Sequence, residues 1–160
     1  MTANEVARES GWAIHDWAEG DRATNEAFAP IETYGERFDA LLGRARALGF
    51  GTIDLWGAHF GPDWATDEHV AIVREALGRH GLTVATYATW IGPGSVDRAC
   101  ELARAVGTSV IGGGFSGEAA ALVPVLRKHG VTLAIENHPE RTPDELLAKI
   151  EAGEGTMAAT

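Results

Sequence analysis

Cysteine is nearly missing. Cys100 stands alone among 160 residues, so no intrachain disulfide can form and a reducing, cytoplasmic setting is expected. No apolar run approaches the roughly 20 residues that cross a bilayer. The opening stretch MTANEVARES also lacks the apolar core of a secretion signal, so no membrane partner is expected. Positive charge is scarce too: 13 Lys and Arg against 23 Asp and Glu leave a formal net charge of −10. Phosphate contacts need clustered Lys and Arg, which argues against a nucleic-acid partner. The 6 prolines gather into no linker, and no low-complexity tract divides the chain. A single domain over residues 1–160 is therefore expected.

What the chain has in quantity is a repeated junction. It reads ARALGFGTIDLW, ALGRHGLTVATYA, ARAVGTSVIGGG and LRKHGVTLAIEN. In each, an Ala/Leu-rich helical end meets a glycine suited to the left-handed position that closes a helix, and a β-branched run suited to a strand follows. The spacing predicts strands near 13–17, 52–56, 83–88, 109–114 and 132–137, and helices near 35–48, 67–79, 95–106, 117–128 and 143–152. Strands alternating with helices over short connections mean an α/β protein of parallel βαβ units. Near-continuously apolar strands fit a parallel sheet covered by helices. Residues 18–34, AEGDRATNEAFAPIETY, read as a long polar loop after the first strand.

The polar residues sort by position. His80 and His129 each precede a helix-closing glycine, where a cation complements the helix dipole. His69 follows TDE at a helix start and is expected on a solvated face. His15, His59 and His138 fall at or just beyond strand C-termini, in AIHDW, LWGAHF and IENHP. In a parallel α/β protein that edge is where ligands bind. Trp17, Trp56, Trp64 and Trp90 gather at the same edge, most as packing and one or two as pocket wall, with Trp56 the candidate for substrate contact. Glu136 ends the run TLAI. A carboxylate there needs a metal, an arginine such as Arg141, or a proton-handling role, because burial without compensation costs several kcal/mol.

A second pattern competes. Gly112, Gly114 and Gly117 satisfy G-x-G-x-x-G after a strand and before a helix, and the next strand ends in Glu136. This is the dinucleotide fingerprint of an FAD- or NAD-binding Rossmann-type oxidoreductase. Three strand–helix units precede it, however. In a barrel the same glycines would let the chain turn closely past a ligand.

From about residue 36 onward, RARALGFGTIDLWGAHF, HGLTVATYATW, ACELARAVGTSVIGGG and above all GVTLAIENHPERTPDELLAKI resemble the xylose isomerase-like TIM barrels, in particular the sugar phosphate isomerase/epimerase group. The resemblance implies (βα) units of a TIM-barrel type, with about five strands present and the barrel incomplete at its C-terminal side. It also implies a metal-dependent isomerase or epimerase, acting on a sugar or sugar-derived small molecule through an enediolate. The divalent metal, Mn²⁺ or Mg²⁺ with Zn²⁺ as a further candidate, would be held by Glu, Asp, His and Glu at the ends of the last four barrel strands. Glu136 matches the first of these ligands and would also handle the proton. His138 would face the sugar, and His59, His15 and Trp56 complete the expected substrate-binding set. The other three ligands would lie beyond residue 160, GTMAAT would begin a sixth strand, and these residues alone would be inactive. Uncovered sheet edges would favour a homo-oligomer. Two further readings are a zinc-dependent apurinic endonuclease-like hydrolase, disfavoured by the charge, and an inactive fragment.

Overall fold

The computed structural model describes residues 16–137 and 140–160. The elements in chain order are α1 (Trp17–Phe28), α2 (Ile31–Ala47), β1 (Thr52–Trp56), a 3-10 turn (Gly57–His59) and α3 (Asp67–His80). There follow β2 (Thr83–Ala88), α4 (Val96–Ala105), β3 (Val110–Gly113), α5 (Ala119–His129), β4 (Thr132–Ile135), α6 (Pro143–Ala152) and β5 (Met157–Ala159). The strands run parallel in the order β1-β2-β3-β4-β5, which is the order of the chain. Sequential right-handed βαβ crossovers give that order, whereas a doubly wound sheet reverses at a switch point. The dinucleotide-binding frame is thereby lost. Of its glycines, Gly112 lies inside β3, while Gly114 and Gly117 follow in the connection to α5.

The chain forms two compact units, residues 1–84 and 85–160. In the first, Tyr34, Phe38, Leu41, Leu42 and Ala45 repeat at helical spacing and form the buried stripe of α2. α3 carries every boundary signal: Thr66 caps it, Asp67 and Glu68 fill its first turn, Arg79 and His80 its last, and Gly81 closes it at φ 60°. The start of β2 is tied to β1 by the Thr83 amide, which donates to the Gly51 carbonyl at 3.0 Å.

Two expectations fail in this unit. Residues 18–34 form α1 and the start of α2, not a loop. Asp16 caps α1 by accepting from the Glu19 amide at 2.7 Å, and Thr24 bonds the Gly20 carbonyl at 2.7 Å. Of the strand expected at 13–17, Asp16 is this cap and Trp17 opens the helix, 77% exposed; residues 13–15 lie outside the described residues. His69 is the second failure, being only 3% exposed rather than solvated. Its Nδ1 accepts from the Thr66 amide at 3.2 Å and its Nε2 lies 3.2 Å from the Ala29 carbonyl. That pairing puts the proton on Nε2 and makes His69 half of a capping box.

In the second unit, β2 pairs with β3 through Tyr87 and Ile111, and β3 with β4 through four residue pairs from Val110–Thr132 to Gly113–Ile135. Tyr87, Leu133 and Ile135 are buried between less buried neighbours and Ile111 is buried in register with them, so one face of these strands packs on a core that includes Leu102, Leu122 and Leu126. Thr142 caps α6 and Pro143 takes its first position, where a missing N–H costs nothing. β5 pairs Met157 with Leu133, so GTMAAT does contain a strand.

Candidate functional site

Each unit contributes expected site residues, and the local reasons for their positions differ. In the first, β1 ends at Trp56 and the chain tightens at once into the 3-10 turn that holds His59. The Tyr34 hydroxyl donates to the His59 carbonyl at 3.0 Å and pins that turn. The His59 ring is fully buried, edge-on to Phe28 at 4.7 Å and to Trp56 at 5.3 Å between centroids. Trp56 and His59 thus pack against each other. Neither ring nitrogen of His59 has a hydrogen-bond partner among the described residues. Burial pushes its pKa down to about 3, so the ring is neutral at physiological pH. Trp64 packs in the same unit, its Nε1 donating to Asn25 Oδ1 at 2.7 Å, and is a packing residue. His15 and His138 lie outside the described residues.

In the second unit, Glu136 immediately follows β4, half-buried, and its amide donates to the Gly113 carbonyl at 3.0 Å. Its backbone therefore continues the ladder one residue past the strand, at the C-terminal edge where a parallel sheet binds ligands. The glycines beside it allow close approach. A Cβ on Gly112 would sit 2.7 Å from Thr86 Cγ2, and one on Gly113, at φ 136°, would sit 2.5 Å from the Thr89 carbonyl oxygen. Their absent side chains leave room for β2 to pack closely on β3.

Glu140, its side chain 3% exposed, pairs with Lys149 of α6, whose ammonium also lies 5.1 Å from the Phe115 ring centroid. Spacing alone did not reveal this pair. Its signal would have been an acid and a base bracketing a capped helix start. Cys100 is buried and its thiol is pushed up to about 11, mainly by burial, so it is a packing residue rather than a nucleophile.

Glu136 offers a hard oxygen ligand of the kind Mg²⁺ and Mn²⁺ prefer. Among the described residues, however, no three His, Cys, Asp or Glu side chains gather to hold an ion. The described donors therefore do not by themselves fit a divalent metal, and the chemistry these residues show is that of a carboxylate beside a glycine-lined strand edge. No described helix is long and apolar enough to cross a membrane.

Parallel strands in chain order, alternating with helices and carrying a carboxylate at the strand C-terminal edge, define a (βα) array of TIM-barrel type. More particularly, the fold is similar to that of a xylose isomerase-like TIM barrel protein. One such protein, from Mycobacterium smegmatis and solved in complex with magnesium, is similar over 80% of this chain and 55% of its own, with a TM-score of 0.60 at 16% identity. An uncharacterized protein from Parabacteroides distasonis ATCC 8503 is similar over 78% of this chain and 56% of its own, with a TM-score of 0.50 at 18% identity. The chain thus spans little more than half the length of these two structures. No family model and no curated protein matches the sequence.

Proposed function

We propose that this chain is part of a divalent-metal-dependent isomerase or epimerase acting on a sugar or sugar-derived substrate. The observation that carries the reading is Glu136, set immediately past the fourth strand of a xylose isomerase-like fold. The magnesium bound by the Mycobacterium smegmatis protein supports a metal role for that strand edge.

Glu136 takes up and returns the proton next to the substrate carbonyl. A carboxylate held on a continued β-ladder keeps its place through such a transfer. A divalent metal, when bound, would stabilise the enediolate charge. In this reading Glu136 is one ligand, the remaining ligands come from outside the described residues, and His138 contacts the sugar.

The test is metal-dependent exchange of a sugar C–H proton with solvent, run on this chain and on a version carrying the further strands of a full barrel. Exchange is expected in the full barrel and negligible in the 160 residues alone. Glu136→Gln preserves shape but removes both charge and proton capacity, and should abolish exchange. Exchange that survives the substitution would overturn the assignment. Tight flavin or nicotinamide binding would instead revive the oxidoreductase reading.

A further inference from the structure

Trp90, Gly114 and Glu136 stand at one level of three adjoining strands. β2 pairs Ala88 with Gly112, and a bridge beyond it pairs Ile91 with Phe115, so Trp90 falls opposite Gly114. On the other side β3 pairs Gly113 with Ile135, which sets Glu136 opposite the same glycine. Tyr87, Ile111, Leu133 and Ile135 mark the face packed on the core. The period of two then places Trp90, Gly114 and Glu136 on the other face, with Thr86, Gly112 and Ala134.

The indole confirms that placement. A Cβ on Gly114 would sit 2.6 Å from Cη2 and 2.7 Å from Cε3 of Trp90, so the ring lies across the glycine, toward the strand that carries Glu136. The backbone beneath it is fastened on both sides. Thr89 donates to the Gly112 carbonyl at 2.8 Å, Ile91 to Gly114 at 3.1 Å, and Ser116 back to Ile91 at 2.9 Å. Yet Trp90 is 52% exposed. A large apolar ring seated on a rigid base at the ligand edge, level with Glu136 across Gly114, is suited to wall a pocket.

We propose that Trp90 and Glu136 form one subsite across Gly114, which takes the C–H face of a polyhydroxylated carbon chain on the indole and its hydroxyls on the carboxylate. This deepens the reading given above and rests on its sugar substrate. The negative face of the indole attracts the polarised C–H groups that line one side of a sugar. The carboxylate accepts from the hydroxyls on its edge. Gly114 is then a specificity element, because any side chain there would push the ring off the strand.

The experiment titrates the 160-residue chain with D-fructose and with xylitol, with glycerol as a short-chain control, and follows the tryptophan indole N–H resonances. Trp90→Phe identifies the Trp90 signal by its loss. That signal should move with both long-chain probes and little with glycerol. Affinity should fall about fivefold in Trp90→Ala and in Gly114→Ala, and be largely kept in Trp90→Phe. Gly114→Ala leaves the indole present but displaced, so the proposal stays testable if Trp90→Ala does not fold. A Trp90 resonance that fails to move, or parental affinity in folded Trp90→Ala or Gly114→Ala, would overturn the subsite. Sugar binding on Trp90 without metal-dependent exchange in any version would remove the proposed reaction and keep the subsite. Exchange unaffected by Trp90→Ala would do the reverse.

Discussion

Nε2 of His129, at the last position of α5, lies 2.8 Å from Oδ1 of Asp97 in the first turn of α4. The same relationship joins His80, ending α3, to Asp39 on α2 at 2.9 Å. In each case a basic neighbour shares the carboxylate, Lys128 at 2.8 Å from Asp97 and Arg79 beside Asp39. The sequence repeat R-H-G-L-T-V and K-H-G-V-T-L is therefore more than a helix-ending signal. Each copy also fastens the helix that it ends to the one before it.

These clasps predict an acid dependence of stability. Lys128 first, then His129, hold the Asp97 carboxyl below the usual carboxylate range; His80 and then Arg79 do the same for Asp39. A carboxyl lowered in the folded state binds its proton first in the unfolded chain. Its stabilisation is present above the ordinary value of about 3.9 and is lost as pH falls through the lower folded value. Urea midpoints of the parent and of Asp97→Asn should differ at pH 7 and converge as the pH approaches 3. Both carboxylates are solvent-facing, so the gap at pH 7 should be small and should narrow further in high salt. A gap that is unchanged at pH 3 would mean that packing, not charge, links Asp97 to the helix end.

His59 gives a dependence in a different window. Burial lowers its pKa from 6.5 to about 3, so between those values the unfolded chain binds a proton that the folded chain refuses. Stability then falls on acidification by about 1.4 kcal/mol per pH unit. Between pH 7 and pH 5 the loss should total roughly 2 kcal/mol. His59→Phe keeps an aromatic ring against Phe28 and Trp56 and removes the titration. Its unfolding free energy relative to the parent should rise by that amount over the same interval. A parallel pH dependence in the two proteins would show that the folded imidazole does protonate.

The repeat was legible because its signals are local. The helix 143–152 is marked by Thr142, Pro143 and Gly153, and the observed α6 has the expected bounds. The strands at 52–56 and 83–88 match as well, since a β-branched run after a helix-closing glycine has few alternatives. The segment 18–34 failed because polar composition was read as loop. Its apolar positions Phe28 and Tyr34 straddle a break at Pro30, and the helical period that Tyr34 shares with Phe38 shows only once the break is placed. His69 failed because a histidine after TDE looks like surface, and nothing local announces that Ala29 will accept its proton. Within the candidate site, Glu136 could be found from its strand. The seat of Trp90 on Gly114 could not, because it depends on the register between β2 and β3.

The segment that follows Glu136 supplies the last prediction. α6 buries none of its own residues, and Leu147 is exposed. Apolar burial therefore does little to hold this helix, and the Lys149–Glu140 pair beneath it carries more than an ordinary surface ion pair would. The Glu140 side chain is 3% exposed and that of Lys149 is 33% exposed, so solvent screens one end of the pair only. Lys149→Met keeps the stem against Phe115 but removes the cation from beside a desolvated carboxylate. The expected loss is about 1–3 kcal/mol, below the figure for a fully buried pair because Lys149 is partly solvated. Lys149→Arg should recover most of it. Amide hydrogen exchange should quicken from Arg141 through Leu147 in the Met variant while α4 and α5 stay protected. A Met variant with parental stability and unchanged exchange would show that the Thr142 cap alone sets α6, and that the loop bearing Glu136 owes nothing to Lys149.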